Sequence, residues 1–424
     1  MQRSPFCVAA LIALVSTTAC AGGDSRSSSD GRDDAEGRLT TDHGVQAGRS
    51  AYLFVWAAES GSDEARSYLA VVGADPAQPS YARVLATVEI SEISRAHHTE
   101  HVMPEGRRIL ANAFREGRTY VINLEDPLSP VIESSFTNAG PYTFPHSFDR
   151  TPEGNVLATF QNQGEGHAEP GGLVELDSLG RFVRGADAAD PTDPELRPYS
   201  VTLLAEGGRV VTTTADMMGE VSGRSFQVWS WPQLGLLHTV RLPPGPRGDE
   251  NLDVAEARVL ADGETVIVTT FRCGMYLVEN LLSEHPGARL IYSFPWDSYE
   301  EGDECGLPVV VGRFWVQTVQ STRSLAVLDM TDPERPVLVD ELFLGPDALP
   351  HWITAEPGGQ RIALTGDGSL SGRLLLLHLD PESGALSLVE DFRSAGATEP
   401  GVIVRRTATD APAIPHGVVF SRPQ

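Results

Sequence analysis

One phrase is written seven times along this chain, and it sharply limits the folds open to it. A short strand is followed by a glycine-containing turn, a second strand, and an apolar third strand that ends near Asp or Trp. One more strand follows each. The third strands are the easiest to see: "YLAVVGADPAQPSY", "TYVINLEDPLSPVI", "GLVELDSLGRFV", "FQVWSWPQLGLLHTV", "MYLVENLLSEHPGARLI", "LAVLDMTDPERPVLV" and "LLLLHLDPESGALSLV". A unit of about four short strands cannot bury its faces alone, so neighbouring units must stack. Seven of them predict an all-β, seven-bladed β-propeller. Alternating apolar residues and Asp-Pro turns fit strands inside blades, and helical periodicity is almost absent. Two β-sandwiches would leave so regular a repeat unexplained.

The ends of the repeat region complement each other. The final "IPHGVVFSRPQ" has the phrase's opening without its remainder, whereas "SAYLFVWAAES" and "SYLAVVGAD" have the remainder without an opening. Pairing the N- and C-terminal strands closes the ring and leaves no open edge. It also puts His416 in the same blade as residues 50–90.

Ahead of the repeats, Arg3 precedes the short apolar run "FCVAALIALV" and then "STTAC", ending at Cys20. This is secretory-signal anatomy. A small residue before Cys resembles a bacterial lipoprotein signal, with Thr17 where leucine is usual, so residues 1–20 are expected to be a signal peptide and Cys20 the lipidated residue. Residues 21–47 form a polar Gly/Ser/Asp tether and residues 48–424 the propeller. An exported protein is expected, periplasmic or tethered to the outer membrane, attached to lipid only through its N-terminus. The net charge of −26 argues against nucleic acid and against a polybasic lipid contact. No lysine occurs among the 32 basic residues, which excludes Schiff-base chemistry. Cys273 and Cys305 are candidates for a disulfide in an oxidising compartment, the alternative being two buried thiols.

The histidines fall in register. His98 stands eight residues before Gly106, His146 eight before Gly154 and His351 eight before Gly359, while His416 follows Ile-Pro much as His146 follows Phe-Pro and His351 follows Leu-Pro. Other blades place Tyr199, Glu256 and the "GLP" at 306–308 in this position. The start of an innermost strand faces the central channel, so equivalent register aims these side chains at a common axis. Imidazoles suit Cu, Fe, Zn or Ni and leave coordination positions open. Glu100 and Asp149 could orient the rings from behind. The plainer reading, histidines bonded to channel water, suits one isolated ring better than a registered set containing a His-His pair. His101 is expected on the opposite face of its strand, and His43, His167, His238, His285 and His378 in structural positions.

These residues resemble the selenium-binding protein family, whose bacterial members include methanethiol oxidase. The resemblance runs over nearly all of residues 50–420: "AHH" (96–98) is similar to the family's His-His strand, "FPHSFDRTPEGNVLATF" to its next histidine motif, "SFQVWSWPQLGLLHTVRL" to its Val-Trp-x-Trp blade, "EARVLADG" to its Glu-x-Arg strand, "LAVLDMTDPERPVLVDELFLG" to its Asp-Pro-x-x-Pro blade and "PHGVV" to its terminal histidine strand. It implies a copper site on His97, His98, His146 and His416, used to oxidise a small thiol, methanethiol, with O2 to formaldehyde, hydrogen sulfide and hydrogen peroxide. His351 joins that set through its register alone. Glu100, Asp149 and Glu256 are candidates for proton transfer. The chain departs from the family after the His-His pair, where its cysteines are missing, and at Asp149, which replaces a second histidine. A non-catalytic propeller binding a protein or small ligand is the alternative function. A lactonase-like site is a weaker third, because Ca²⁺ prefers oxygen ligands.

Overall fold

Strands and a single 3₁₀ turn, Phe114–Glu116, make up the regular structure among the described residues. The computed structural model describes residues 49–423 except 61–63, 167–168, 194–195, 220–221, 297–303 and 407–409. The proposed signal peptide 1–20 with Cys20, the tether 21–47, His43 and His167 lie outside them. The strands form seven antiparallel sheets. Each of the seven third strands read from the sequence lies next to the outermost strand of its own sheet, from Ser67–Gly73 to Arg373–Leu379. The fold is a seven-bladed β-propeller.

Burial follows position within a blade. Ser67–Gly73 is buried along its whole length, while the outermost strands Phe182–Asp187 and Val337–Phe343 are largely exposed. Blade-on-blade packing covers both faces of the middle strands, which therefore read as continuous apolar runs rather than alternating ones. Trp56, Trp229, Trp315 and Trp352 are fully buried between them.

The ring closes as the terminal phrases require. Ile414–Phe420 pairs antiparallel with Tyr52–Ala58, from Leu53 opposite Phe420 to Ala58 opposite Ile414, so one blade is built from both ends of the chain. The second blade is the irregular one. Its three regular strands are Arg108–Ala113, Arg118–Asn123 and Val131–Phe136. The innermost place is taken by residues 97–100, whose backbone bonds with Asn112 and Leu110 and makes one isolated bridge, Thr99 to Ala111. The turn register differs there as well. Gly154 and Gly263 take the left-handed conformation, but beside Gly106 and Gly359 it is Arg107 and Gly358 that do. The histidines thus share a level on the axis through the strands they ride on, and the glycine spacing is only approximately their ruler.

Cys273, in the second hairpin turn of the fifth blade, forms a disulfide with Cys305, the first residue of the sixth blade's innermost strand Cys305–Val311. The bridge spans 32 positions of sequence, which by loop-closure entropy corresponds to about 3–4 kcal/mol. A Cys273→Ala/Cys305→Ala chain is expected to lose about that much in urea unfolding. An unchanged midpoint would show that the bridge constrains nothing.

Candidate metal centre

Four neighbouring blades deliver the five registered histidines to one place. His416 comes from the closing strand Ile414–Phe420, His97 and His98 from the irregular segment, His146 from Tyr142–Arg150 and His351 from Ala348–Ala355. The rings of His97 and His98 stack at 4.0 Å with 5° between their planes. His146 stands 4.5 Å from His98, His416 4.6 Å from His97, and His351 4.7 Å from His416, centre to centre. Ligand atoms of His97, His98 and His146 lie within 4.8 Å of one another, and so do those of His98, His351 and His416. A glycine permits part of this approach. A side chain at Gly417 would meet the Thr99 backbone nitrogen at 2.8 Å, so the closing strand can reach the His-His segment only without one.

The rings are held neutral. Burial keeps His97, His98 and His416 well below the ordinary imidazole range, reinforced by their neighbours' partial charge, and pushes His146 down to about 3. The tautomer of His146 follows from its partners. Its Nδ1 lies 2.9 Å from the Tyr199 carbonyl, which can only accept, so Nδ1 carries the hydrogen and Nε2 the lone pair. The His97 ring lies beside the Asn112 side chain and the His416 ring beside the His97 backbone. The other nitrogens, His97 Nδ1, His98 Nε2, His146 Nε2 and His416 Nδ1, are buried without a hydrogen-bond partner. In His146 one ring nitrogen donates to protein while the other waits, the arrangement that orients metal-ligating histidines.

Asn112 does much of that orienting, and nothing in the sequence reading singled it out. Its Oδ1 accepts from the His98 amide at 2.7 Å, and its Nδ2 donates to the Pro145 and His146 carbonyls, each at 2.9 Å. Its own carbonyl accepts from the His97 amide at 3.0 Å and from Trp56 Nε1 at 2.8 Å. One fully buried amide therefore fixes three histidine backbones on two blades. The available signal was a polar residue inside the apolar strand "RILANA".

The carboxylates lie elsewhere. Glu100 is bound by the Arg150 guanidinium on both oxygens and by the Leu110 amide. Asp149 accepts from the Arg150 and Leu203 amides, and burial pushes its carboxyl up to about 6. Glu256 pairs with Arg258, and burial raises it too. All three have their bonds to groups other than the histidine rings, so ring orientation falls to Asn112 and the Tyr199 carbonyl. His101 stacks on Trp352 at 4.5 Å, apart from the cluster. His238 sits in an outermost strand, His285 in a turn, and His378 bonds Gln360.

No protein-family model matches the chain. Methanethiol oxidase of a Hyphomicrobium species is 25% identical over 140 residues, 32% of this chain and 32% of that enzyme. The chain resembles the selenium-binding protein family. The match spans about a third of that relative's length. A hypothetical selenium-binding protein from Sulfolobus tokodaii superposes with a TM-score of 0.72 at 16% identity, covering 89% of this chain and 95% of that one. The periplasmic gluconolactonase of Pseudomonas aeruginosa gives 0.59 at 15% identity, covering 88% and 99%. At such identities these two show the propeller fold alone.

The buried rings have a consequence for acid stability. His97, His98, His101, His146, His351 and His416 all titrate below their ordinary range, His101 and His351 chiefly through burial. In the unfolded chain each takes up a proton near pH 6.5. Below that pH the unfolded state binds more protons, so the stability these rings contribute is complete above about 6.5 and is lost as pH falls. Each can cost up to about 1.4 kcal/mol per pH unit. The metal-free protein is expected to unfold at markedly lower urea at pH 5.5 than at pH 7.5; equal midpoints would mean the rings are already charged when folded.

Proposed function

We propose that the chain is a copper-dependent oxidase acting on a small thiol, of the methanethiol oxidase kind. The observation that carries this reading is four buried ring nitrogens without partners, on histidines that fall into two ligand-spaced groups sharing His98. Buried polar atoms are normally satisfied, and a cation that accepts imidazole would satisfy all of these together. Such a donor set suits Cu, Zn, Fe or Ni; copper is the choice that the resemblance to the selenium-binding protein family implies. His97, His98, His146 and His416 would hold it, with His351 beside them.

When bound, copper would supply one-electron chemistry toward O2 and an acceptor for sulfur. The protein's part is to orient and to exclude water. Phe114 packs 5.4 Å from His146 and 5.8 Å from His97, with Phe144 behind it. Tyr199 lies 3.9 Å from His146, with Phe271 against its other side. This aromatic surround favours a small uncharged substrate over a hydrated one. For methanethiol the balance is one thiol, one O2 and one water giving formaldehyde, hydrogen sulfide and hydrogen peroxide. The test is oxygen uptake and sulfide release when methanethiol is added to copper-loaded protein. A full equivalent of copper without turnover of any thiol would end the oxidase reading.

A further inference from the structure

Among the described residues, a large cavity lies away from the histidines. It lies further along the axis, past Trp352 and His101, has a volume of about 1080 Å³ and is bordered by residues of every blade. Its two sides differ in character. Phe148, Val201, Leu203, Val259, Val309 and Val310, from the third to the sixth blades, make an apolar wall, while Arg150, Arg258 and His101 present polar groups. An apolar hollow with a few convergent polar groups is the usual form of a small-molecule site.

The polar groups are short of an acceptor. Arg258 donates to Glu256, to the Ala257 carbonyl at 2.9 Å and to His101 Nε2 at 3.2 Å. A guanidinium has five N–H groups and is always charged, so three bonds leave two N–H groups over. It also fixes the His101 tautomer: Nε2 must accept, and therefore Nδ1 carries the hydrogen. That Nδ1 is buried without a partner, and stacking on Trp352 holds the ring in place. Among the carboxylates of the lining, Glu100 is neutralised by Arg150, Glu105 stands 3.5 Å from Arg422, Asp149 accepts from two backbone amides, and Glu153 lies at the rim. What is missing is an anionic acceptor attached to an apolar body.

We propose that this cavity is a second binding site, separate from the histidine centre, for a small amphipathic carboxylate of medium chain length. The carboxylate takes the spare donors of Arg258, and the chain lies along the valine wall. Burial of each further methylene strengthens binding about fourfold.

Calorimetric titration of the full chain with butanoate, hexanoate and octanoate tests this directly. Affinity is expected to rise about tenfold or more with each pair of methylenes, with octanol of equal length binding at least about tenfold more weakly than octanoate. Val310→Glu, which sets a like charge in the wall, is expected to weaken octanoate at least about tenfold while metal content stays at the wild-type level. Arg258→Met/Glu256→Gln removes the guanidinium without stranding its buried partner and is expected to do the same. No saturable octanoate binding at millimolar concentration, binding indifferent to Val310→Glu, or octanol matching octanoate would each overturn the proposal. So would loss of octanoate binding in a His97→Ala/His98→Ala chain, since that would put the ligand at the histidines.

Discussion

A His97→Ala/His98→Ala chain, loaded with copper beside the wild type and then dialysed, is expected to hold less than about a tenth of an equivalent where the wild type holds about one. The two rings are stacked neighbours in the middle of the donor set, and His98 belongs to both groups of ligand atoms within 4.8 Å. Loss of even an outer partner of a ligand typically costs 10- to 100-fold in metal affinity, so loss of two ligands is expected to cost at least about 10⁴-fold. The same change removes two buried groups that would otherwise have to be desolvated, so the fold should survive and the metal-free variant should melt no lower than metal-free wild type. Copper retained at one equivalent by the variant would remove the histidine centre altogether. Absence of copper from both chains would leave the stacked pair as a wall of the channel.

The second large effect concerns the closing strand. A chain ending at Ala413 loses Val418, Val419 and Phe420, all essentially inaccessible to solvent. At roughly 1.5–3 kcal/mol for each buried side chain, these alone approach the whole stability of an ordinary domain. The truncation also uncovers Tyr52–Ala58 as an edge, and takes away the Val418 carbonyl that accepts from Trp352 Nε1 at 3.0 Å. The expected result is aggregated protein with no cooperative melting transition. A soluble monomer melting near the wild-type temperature would show that the ring does not need its latch.

Much of this was legible before any coordinates. The seven third strands stand out because blade-on-blade packing demands continuous apolar runs there, and a run is a local property of sequence. Closure could be read from two incomplete phrases at opposite ends. The set His98, His146, His351 and His416 was visible because strands of similar length bring similar positions to the same height. The roles of Asn112 and of the Tyr199 carbonyl were not visible, because both depend on contacts between blades. The Tyr199 carbonyl, moreover, carries no side-chain signature. Glu100 and Asp149 were placed near the right strands, but their oxygens are bound by Arg150 and backbone amides. Spacing along a strand cannot show which way a carboxylate is held. The cavity beyond Trp352 belongs to no single segment, since every blade contributes to its border.

The position of His416 in the closing strand has a temporal consequence. Its companions His97, His98 and His146 belong to the second and third blades, yet the strand bearing His416 is made after all of them. A partly synthesised chain can offer an incoming ion no more than an unfinished cup. The full set of histidines exists only after the first blade has received its closing strand, so under the proposed function capture of an ion would have to wait for completion of the ring. Under that proposal, metal occupancy in a purified sample would also count the molecules that finished folding.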